Sequence, residues 1–146
     1  MEDREEELGA RWCEGLGELL GGCDAVVLAT PFQGKTLLGP KEFAMFKPGT
    51  RLINIARGKL IDEEALNAAL DEGRISAAGL DVHANEPHVD ERLAKRDNVM
   101  VLSHIAGASV ESHVGFERLG MENLMSFVEG KGALTAVNAQ WLKERD

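Results

Sequence analysis

Four ionisable side chains lie at the ends of apolar segments of the sequence or just beyond them, where they could act together as an acid–base site. They are a guanidinium, two carboxylates and an imidazole: Arg57, Asp81, Glu86 and His104. A planar guanidinium can hold a carboxylate through two parallel hydrogen bonds, and an imidazole paired with a carboxylate can exchange a proton near neutral pH. Together these residue types predict a site that binds a small acid and moves a proton.

Each of these residues also has a purely structural interpretation. Arg57 could cap a turn, and Asp81 could cap backbone amides. Glu86 could be a loop charge, and His104 could be a satisfied core imidazole. For any one residue alone the structural interpretation is the stronger one, whereas their joint placement after apolar segments favours a functional site.

The segments that precede these residues are predicted to be strands of a parallel sheet. Each is a short run of mostly aliphatic or β-branched residues: 24–30, 51–56, 77–82 and 99–103. Runs of this length are too short for a typical buried helix and are typical of buried parallel strands. Because ligands bind outside the carboxyl ends of strands in doubly wound sheets, residues just after a strand are the first candidates for function.

Helix-like stretches alternate with these runs. A brief one covers residues 40–46, and a well-marked one covers 62–73, where Asp62 is the expected N-cap and a glycine ends the helix. A last long helix is predicted to begin after the N-cap Ser109 and to run to Gly130. The alternation predicts an α/β fold: a partial doubly wound (Rossmann-like) parallel sheet with right-handed crossovers and a long C-terminal helix.

Composition argues against several classes of protein. The 146 residues carry a formal charge of -9, with acidic residues crowded near the start, which argues against a nucleic-acid surface. No apolar run approaches the roughly 20 residues that span a bilayer, and the acidic start does not resemble a signal peptide, so we expect a cytoplasmic protein with no membrane partner. The four histidines lack the spacing of a zinc site, and no metal is predicted.

Several separated motifs resemble the signature regions of the D-isomer-specific 2-hydroxyacid dehydrogenases. They are residues 54–66 (NIARGKLIDEEAL), 79–82 (GLDV), 86–87 (EP) and 104–107 (HIAG), in the family's order and spacing. The resemblance extends over nearly the whole chain. The form DVHANEP at 81–87 is most similar to fungal members that act on glyoxylate, hydroxypyruvate or mandelate-type acids.

The resemblance implies a role for each catalytic residue. Arg57 would bind the carboxylate of a small 2-keto or 2-hydroxy acid and polarise the keto group. His104 would protonate the carbonyl oxygen as hydride arrives from NADH or NADPH, and it would be the base in the reverse direction. Glu86 would hydrogen-bond His104 and stabilise its imidazolium form.

The resemblance also implies contacts with the NAD or NADP cofactor. Asp81 matches the carboxylate that orients the nicotinamide end, and Arg57 and His104 also belong to the cofactor site. The other matching positions line the cofactor or lie beside its carboxamide: Thr30, Pro31, Ile55, Ala56, Ala106 and Gly107. The chain departs from the commonest family form at His83, where an aromatic residue is usual, and at Ser103, where proline is usual; neither change removes a reacting group.

The sequence contains no Gly-x-Gly-x-x-Gly turn, with which this family presents backbone amides to the cofactor pyrophosphate. We therefore interpret residues 1–146 as a partial NAD-binding domain without this unit and without the substrate domain. We expect the chain alone to bind NADH weakly and to be inactive. The strand at 24–30 would be an open apolar edge, which predicts self-association, for instance as a homodimer.

Two alternatives remain open at this point. The first is a non-catalytic binding protein on the same scaffold, such as a corepressor-like protein, since such proteins can keep all three catalytic residues. The second is a degenerate remnant. The identity of the 2-hydroxy acid and the choice between NAD and NADP depend on residues outside these motifs.

Overall fold

The computed structural model describes residues 7–137, and its central element is a parallel sheet of four strands. The strands are β1 (Ala25–Leu28), β2 (Thr50–Asn54), β3 (Ile75–Leu80) and β4 (Val99–Val101). They lie in the order β1-β2-β3-β4, and every neighbouring pair is parallel. The predicted strands and the Rossmann-like α/β class are confirmed, and the carboxyl ends of all four strands meet at one edge of the sheet.

One helix precedes β1, and the others occupy the connections between the strands. They are α1 (Leu16–Gly22), α2 (Pro40–Phe43), α3 (Glu63–Asp71) and α4 (Glu91–Ala94), with a 3-10 turn at Gly58–Leu60. Asp62 caps α3 as predicted, because its carboxylate accepts the backbone N–H groups of Glu64 and Ala65 at 3.0 and 3.1 Å. Gly73, with φ +68°, follows the end of this helix in the left-handed region that glycine tolerates.

One face of the sheet is buried and the other is exposed. Inward residues such as Leu52 and Leu80 share one apolar cluster with the helix residue Leu66. Burial on both faces, which the aliphatic runs predicted, is wrong for the described residues: Val27 is 53% exposed and Met100 is 66% exposed. Strands that follow one another in sheet order receive their crossover helices on the same face when all crossovers have one hand, so these helices cover one side only.

A second unit of the chain begins at Gly107 and contains the long helix α5 (Val110–Val128). Its N-cap is Ser109, as predicted, whose hydroxyl accepts the N–H of Ser112 at 3.1 Å. Within this unit the segment after the helix folds back on it, since the Ser126 hydroxyl donates to the Gly132 carbonyl at 2.7 Å. No helix among residues 7–137 is both long enough and apolar enough to cross a membrane.

Candidate active site

The Arg57 turn follows β2 and is held by a buried asparagine. Asn54 is completely buried; its amide donates to the Arg57 carbonyl at 3.0 Å, and its side-chain oxygen accepts the Ala56 N–H at 3.0 Å. The guanidinium of Arg57 is exposed and donates from one Nη to the Ala56 carbonyl at 2.6 Å. Its remaining N–H groups are therefore available to an anion beyond the strand end.

Gly58 brings this turn into direct backbone contact with the loop that follows β3. A Cβ atom at Gly58 would lie 1.9 Å from the carbonyl carbon of His83 and 2.4 Å from the backbone nitrogen of Ala84. No side chain fits in that space, so glycine is required here for close approach rather than for its backbone angles. The contact fixes the Arg57 turn against residues 83 and 84.

His104 stands in an unusual backbone conformation that Asp81 holds in place. Its φ is +59°, the left-handed region that a non-glycine residue seldom occupies. The buried carboxylate of Asp81 accepts the next two backbone N–H groups, from Ile105 at 2.8 Å and from Ala106 at 3.0 Å. In addition, the His104 N–H donates to the Asp81 backbone carbonyl at 2.8 Å. The amide-capping interpretation of Asp81 thus describes its geometry, and its contact with a cofactor stays a prediction.

Glu86 and His104 form the carboxylate–imidazole contact that the sequence predicted. The Nδ1 of His104 lies 3.0 Å from Oε2 of Glu86, while Oε1 accepts the His83 N–H at 2.9 Å. The hydrogen bond with His104, supported by that backbone N–H, holds the pKa of Glu86 below its usual range. Because Glu86 engages Nδ1, the Nε2 of His104 is the ring atom left for a reacting group.

A cavity of about 960 Å³ adjoins these loops, and its lining comes from residues 29–32, 55–59 and 83–86. The lining includes six of the predicted site residues: Thr30, Pro31, Ile55, Ala56, Arg57 and Glu86. Of the others, Asp81 is buried, His104 reaches the cavity wall through Glu86, Ala106 is held by Asp81, and Gly107 begins the second unit.

Three residues of this site received no role from the sequence: Asn54, Gly58 and His83. Asn54 could have been identified because it is a polar residue inside an aliphatic run, and a buried amide needs hydrogen-bond partners. A glycine directly after Arg57 could have suggested the close backbone approach at Gly58. No feature of the sequence reveals that His83 is buried.

Comparison with known proteins gives matches over most of the chain. Residues 1–106 match the family model described as D-isomer specific 2-hydroxyacid dehydrogenase, NAD binding domain. The chain is 42% identical over 143 residues to a glyoxylate reductase of Thermococcus gammatolerans, a match that covers 97% of this chain and 42% of that protein. It is also 42% identical over 125 residues to 4-methyl-2-oxopentanoate reductase A of Aspergillus oryzae, covering 84% of this chain and 38% of that protein.

Solved structures show the same likeness. The apo form of Rhodotorula graminis D-mandelate dehydrogenase superposes with a TM-score of 0.86 at 40% identity, over 91% of this chain and 39% of that one. A glyoxylate reductase from Paecilomyes thermophila gives 0.86 at 37% identity, over 94% and 42%. The chain spans about two-fifths of the length of the curated relatives it matches.

Proposed function

The chain belongs to the D-isomer-specific 2-hydroxyacid dehydrogenase family, and we propose that it serves the reversible reduction of a small 2-keto acid to a 2-hydroxy acid. The observation that carries the proposal is the 3.0 Å contact between His104 and Glu86 beside a cavity whose lining includes Arg57. In this arrangement Arg57 would bind a carboxylate, and His104 would donate a proton to the neighbouring carbonyl oxygen. Relatives of high similarity are named as reductases, which favours an enzyme over a corepressor-like protein.

The cavity fits the nicotinamide end of NAD or NADP. Its volume of about 960 Å³ lies in the range of small-molecule sites, and Pro31, Ile55 and Ala56 give it an apolar wall. When bound there, the reduced cofactor supplies hydride to the keto carbon. The sequence offers no glycine-rich turn for the pyrophosphate, so we expect the 146-residue chain alone to bind NADH weakly and to show no turnover.

The proton for the reaction comes from His104. In the reducing direction its Nε2–H donates to the carbonyl oxygen while the carbon gains hydride, and the product hydroxyl keeps that proton. The imidazole becomes neutral and retains its Nδ1–H, which stays hydrogen-bonded to Glu86. In the oxidising direction Nε2 accepts the hydroxyl proton, and Glu86 stabilises the imidazolium that forms.

Arg57 would hold the substrate carboxylate. One Nη donates to the Ala56 carbonyl at 2.6 Å, which orients the planar guanidinium, and Arg57 is among the residues that line the cavity. A bidentate contact with the carboxylate would set the keto group in place. A guanidinium N–H close to the keto oxygen would bind it more strongly as negative charge develops there. Glyoxylate and hydroxypyruvate are the proposed substrates, because several relatives carry those names.

We also propose that the chain self-associates, for instance as a homodimer. Among residues 7–137, β1 is paired on one side only, and Val27 on this strand is 53% exposed. Open strand edges with apolar side chains pair readily with another chain. Val27→Lys should therefore lower the sedimentation coefficient of the chain; an unchanged coefficient would contradict the edge of β1 as the contact between chains.

The proposed location is the cytoplasm. The two free thiols, Cys13 and Cys23, suit its reducing environment.

A chimera tests the proposed reaction. In the Thermococcus gammatolerans glyoxylate reductase, the matched segment is replaced by this chain, and oxidation of NADH or NADPH is followed in the presence of glyoxylate or hydroxypyruvate. We expect turnover of at least one of these acids. A chimera that folds cooperatively, as shown by its thermal transition, and yet reduces neither acid with either cofactor would refute the proposal.

A further inference from the structure

We infer that His83 is a positioning residue for the Glu86–His104 pair, because it ties the loop that carries Glu86 to the strand end that leads into His104. The inference rests on the proposed function only in treating that pair as the acid–base group. It concerns a residue at which the chain departs from the aromatic side chain common in the family.

The imidazole of His83 makes the first of two contacts. His83 is 5% exposed, and the Nε2 of its ring lies 2.8 Å from the carbonyl oxygen of Leu102. A carbonyl oxygen can only accept, so Nε2 carries the proton and neutral His83 is the Nε2–H tautomer. Leu102 is itself held to β3, since its N–H donates to the Leu80 carbonyl at 2.8 Å, and it lies two residues before His104.

The backbone of His83 makes the second contact. Its N–H donates to Oε1 of Glu86 at 2.9 Å, while Oε2 of the same carboxylate meets His104 at 3.0 Å. One residue therefore touches the carboxylate through its peptide and the strand that leads to the imidazole through its ring. Gly58 packs on the His83 peptide with no room for a Cβ, which holds this residue in place from the side of the Arg57 turn.

The remaining ring nitrogen indicates that packing alone does not explain the histidine. The Nδ1 of His83 is buried and has no hydrogen-bond partner among residues 7–137. An unpaired buried polar atom is unfavourable, and an aromatic hydrocarbon side chain would fill the space without it. The bond from Nε2 to Leu102 is what the imidazole adds, and this bond joins the two segments that carry the pair.

The test measures tautomer and titration rather than turnover, so its outcome is separate from that of the chimera. In the 146-residue chain, long-range ¹H–¹⁵N spectra should show neutral His83 as the Nε2–H tautomer. The carboxyl ¹³C signal of Glu86 reports its titration midpoint. In His83→Phe, which keeps the bulk and loses the bond, that midpoint should move upward toward the usual Glu value, since both contacts of the carboxylate loosen.

Two further variants make the test specific. His83→Gln places an amide N–H near the position of Nε2 and should restore a low Glu86 midpoint. His88→Phe alters an exposed histidine of the same loop and should leave the midpoint unchanged. An Nδ1–H tautomer of His83 in the unaltered chain, or an unmoved Glu86 midpoint in a folded His83→Phe chain, would overturn the inference. Should His83→Phe fail to fold, the tautomer and the Gln variant still decide it.

Discussion

Replacing Asp81 by Asn should loosen the turn at His104 and lower the free energy of unfolding. The size of the loss can be estimated from the two hydrogen bonds that the Asp81 carboxylate accepts. The carboxylate oxygens accept the backbone N–H groups of Ile105 at 2.8 Å and Ala106 at 3.0 Å, and the aspartate is 4% exposed. Asparagine keeps one acceptor, whereas its NH₂ group turns a donor toward the other N–H. The turn at His104, with φ +59°, then loses one of the three hydrogen bonds from Asp81 that hold its strained backbone.

The magnitude follows from the loss of one hydrogen bond to a charged acceptor. Such a bond contributes about 1.5–3 kcal/mol, and the N–H left facing another donor adds to the loss. We expect the free energy of unfolding to fall by roughly 2–3 kcal/mol. The slope of the unfolding free energy against urea concentration (the m value) should not change, because the surface exposed on unfolding is the same.

Urea unfolding followed by circular dichroism measures this change. The matched control is Asp97→Asn, which makes the same chemical change at an exposed aspartate and should stay within about 0.5 kcal/mol of the parent chain. Both variants should be compared at one low protein concentration, since self-association would add to apparent stability. An Asp81→Asn chain as stable as the Asp97→Asn chain would refute the capping role argued from the distances.

Three other measurements probe the same site. Because the hydrogen bond with His104 lowers the pKa of Glu86, the stabilisation from this carboxylate is complete above the unfolded Glu pKa of about 4.3 and is lost as pH falls through the lower folded pKa. The difference in unfolding free energy between the parent and Glu86→Gln should therefore be present near neutral pH and vanish in strong acid; a difference that grows on acidification would contradict the pairing. Gly58→Ala, whose Cβ would lie 1.9 Å from the His83 carbonyl carbon, should lower the free energy of unfolding in urea by at least about 3 kcal/mol. Gly115→Ala lies in a helix with open space around it, and it should raise the free energy of unfolding by no more than about 1 kcal/mol. Equal effects of the two glycine substitutions would rule out the close approach. In the chimera, His104→Ala should lower kcat/KM by about 10²–10⁴-fold at neutral pH, and activity within threefold of the parent, measured by NADH oxidation, would exclude His104 as the proton donor.

The sequence predicted the strands well because parallel strands appear as short aliphatic runs, and the residues of the candidate site lie where such strands end. Arg57, Glu86 and His104 could be placed at one edge of the sheet from the alternation of elements alone. The partner of Asp81 could not be predicted, since the residues it caps lie 24 and 25 positions further along the chain. Long-range contacts of this kind leave no local pattern.

Two structural features were hidden for different physical reasons. The exposed sheet face was missed because Val27 and Met100 are apolar, and an apolar residue indicates burial whether or not a helix covers it. Helix α1 gives a weak signal in the sequence because three of its seven residues are glycine, which lowers helix propensity, yet the buried Leu20 anchors it to the core. In both cases tertiary packing, rather than local preference, decides the outcome.

The backbone contact at Gly58 sets the spacing between the Arg57 turn and the loop that carries Glu86. In the proposed reaction these two segments would contact different groups of the substrate. The Arg57 turn rests on the peptide of residues 83 and 84 with no side chain between them, so the spacing of these two backbone segments does not depend on an intervening side chain. In the proposed reaction, substitution of cavity residues such as Phe32 would change which group fits on the keto carbon of the substrate. A search for activity on larger 2-keto acids, within the proposed function, should therefore vary Phe32 and leave Gly58 unchanged.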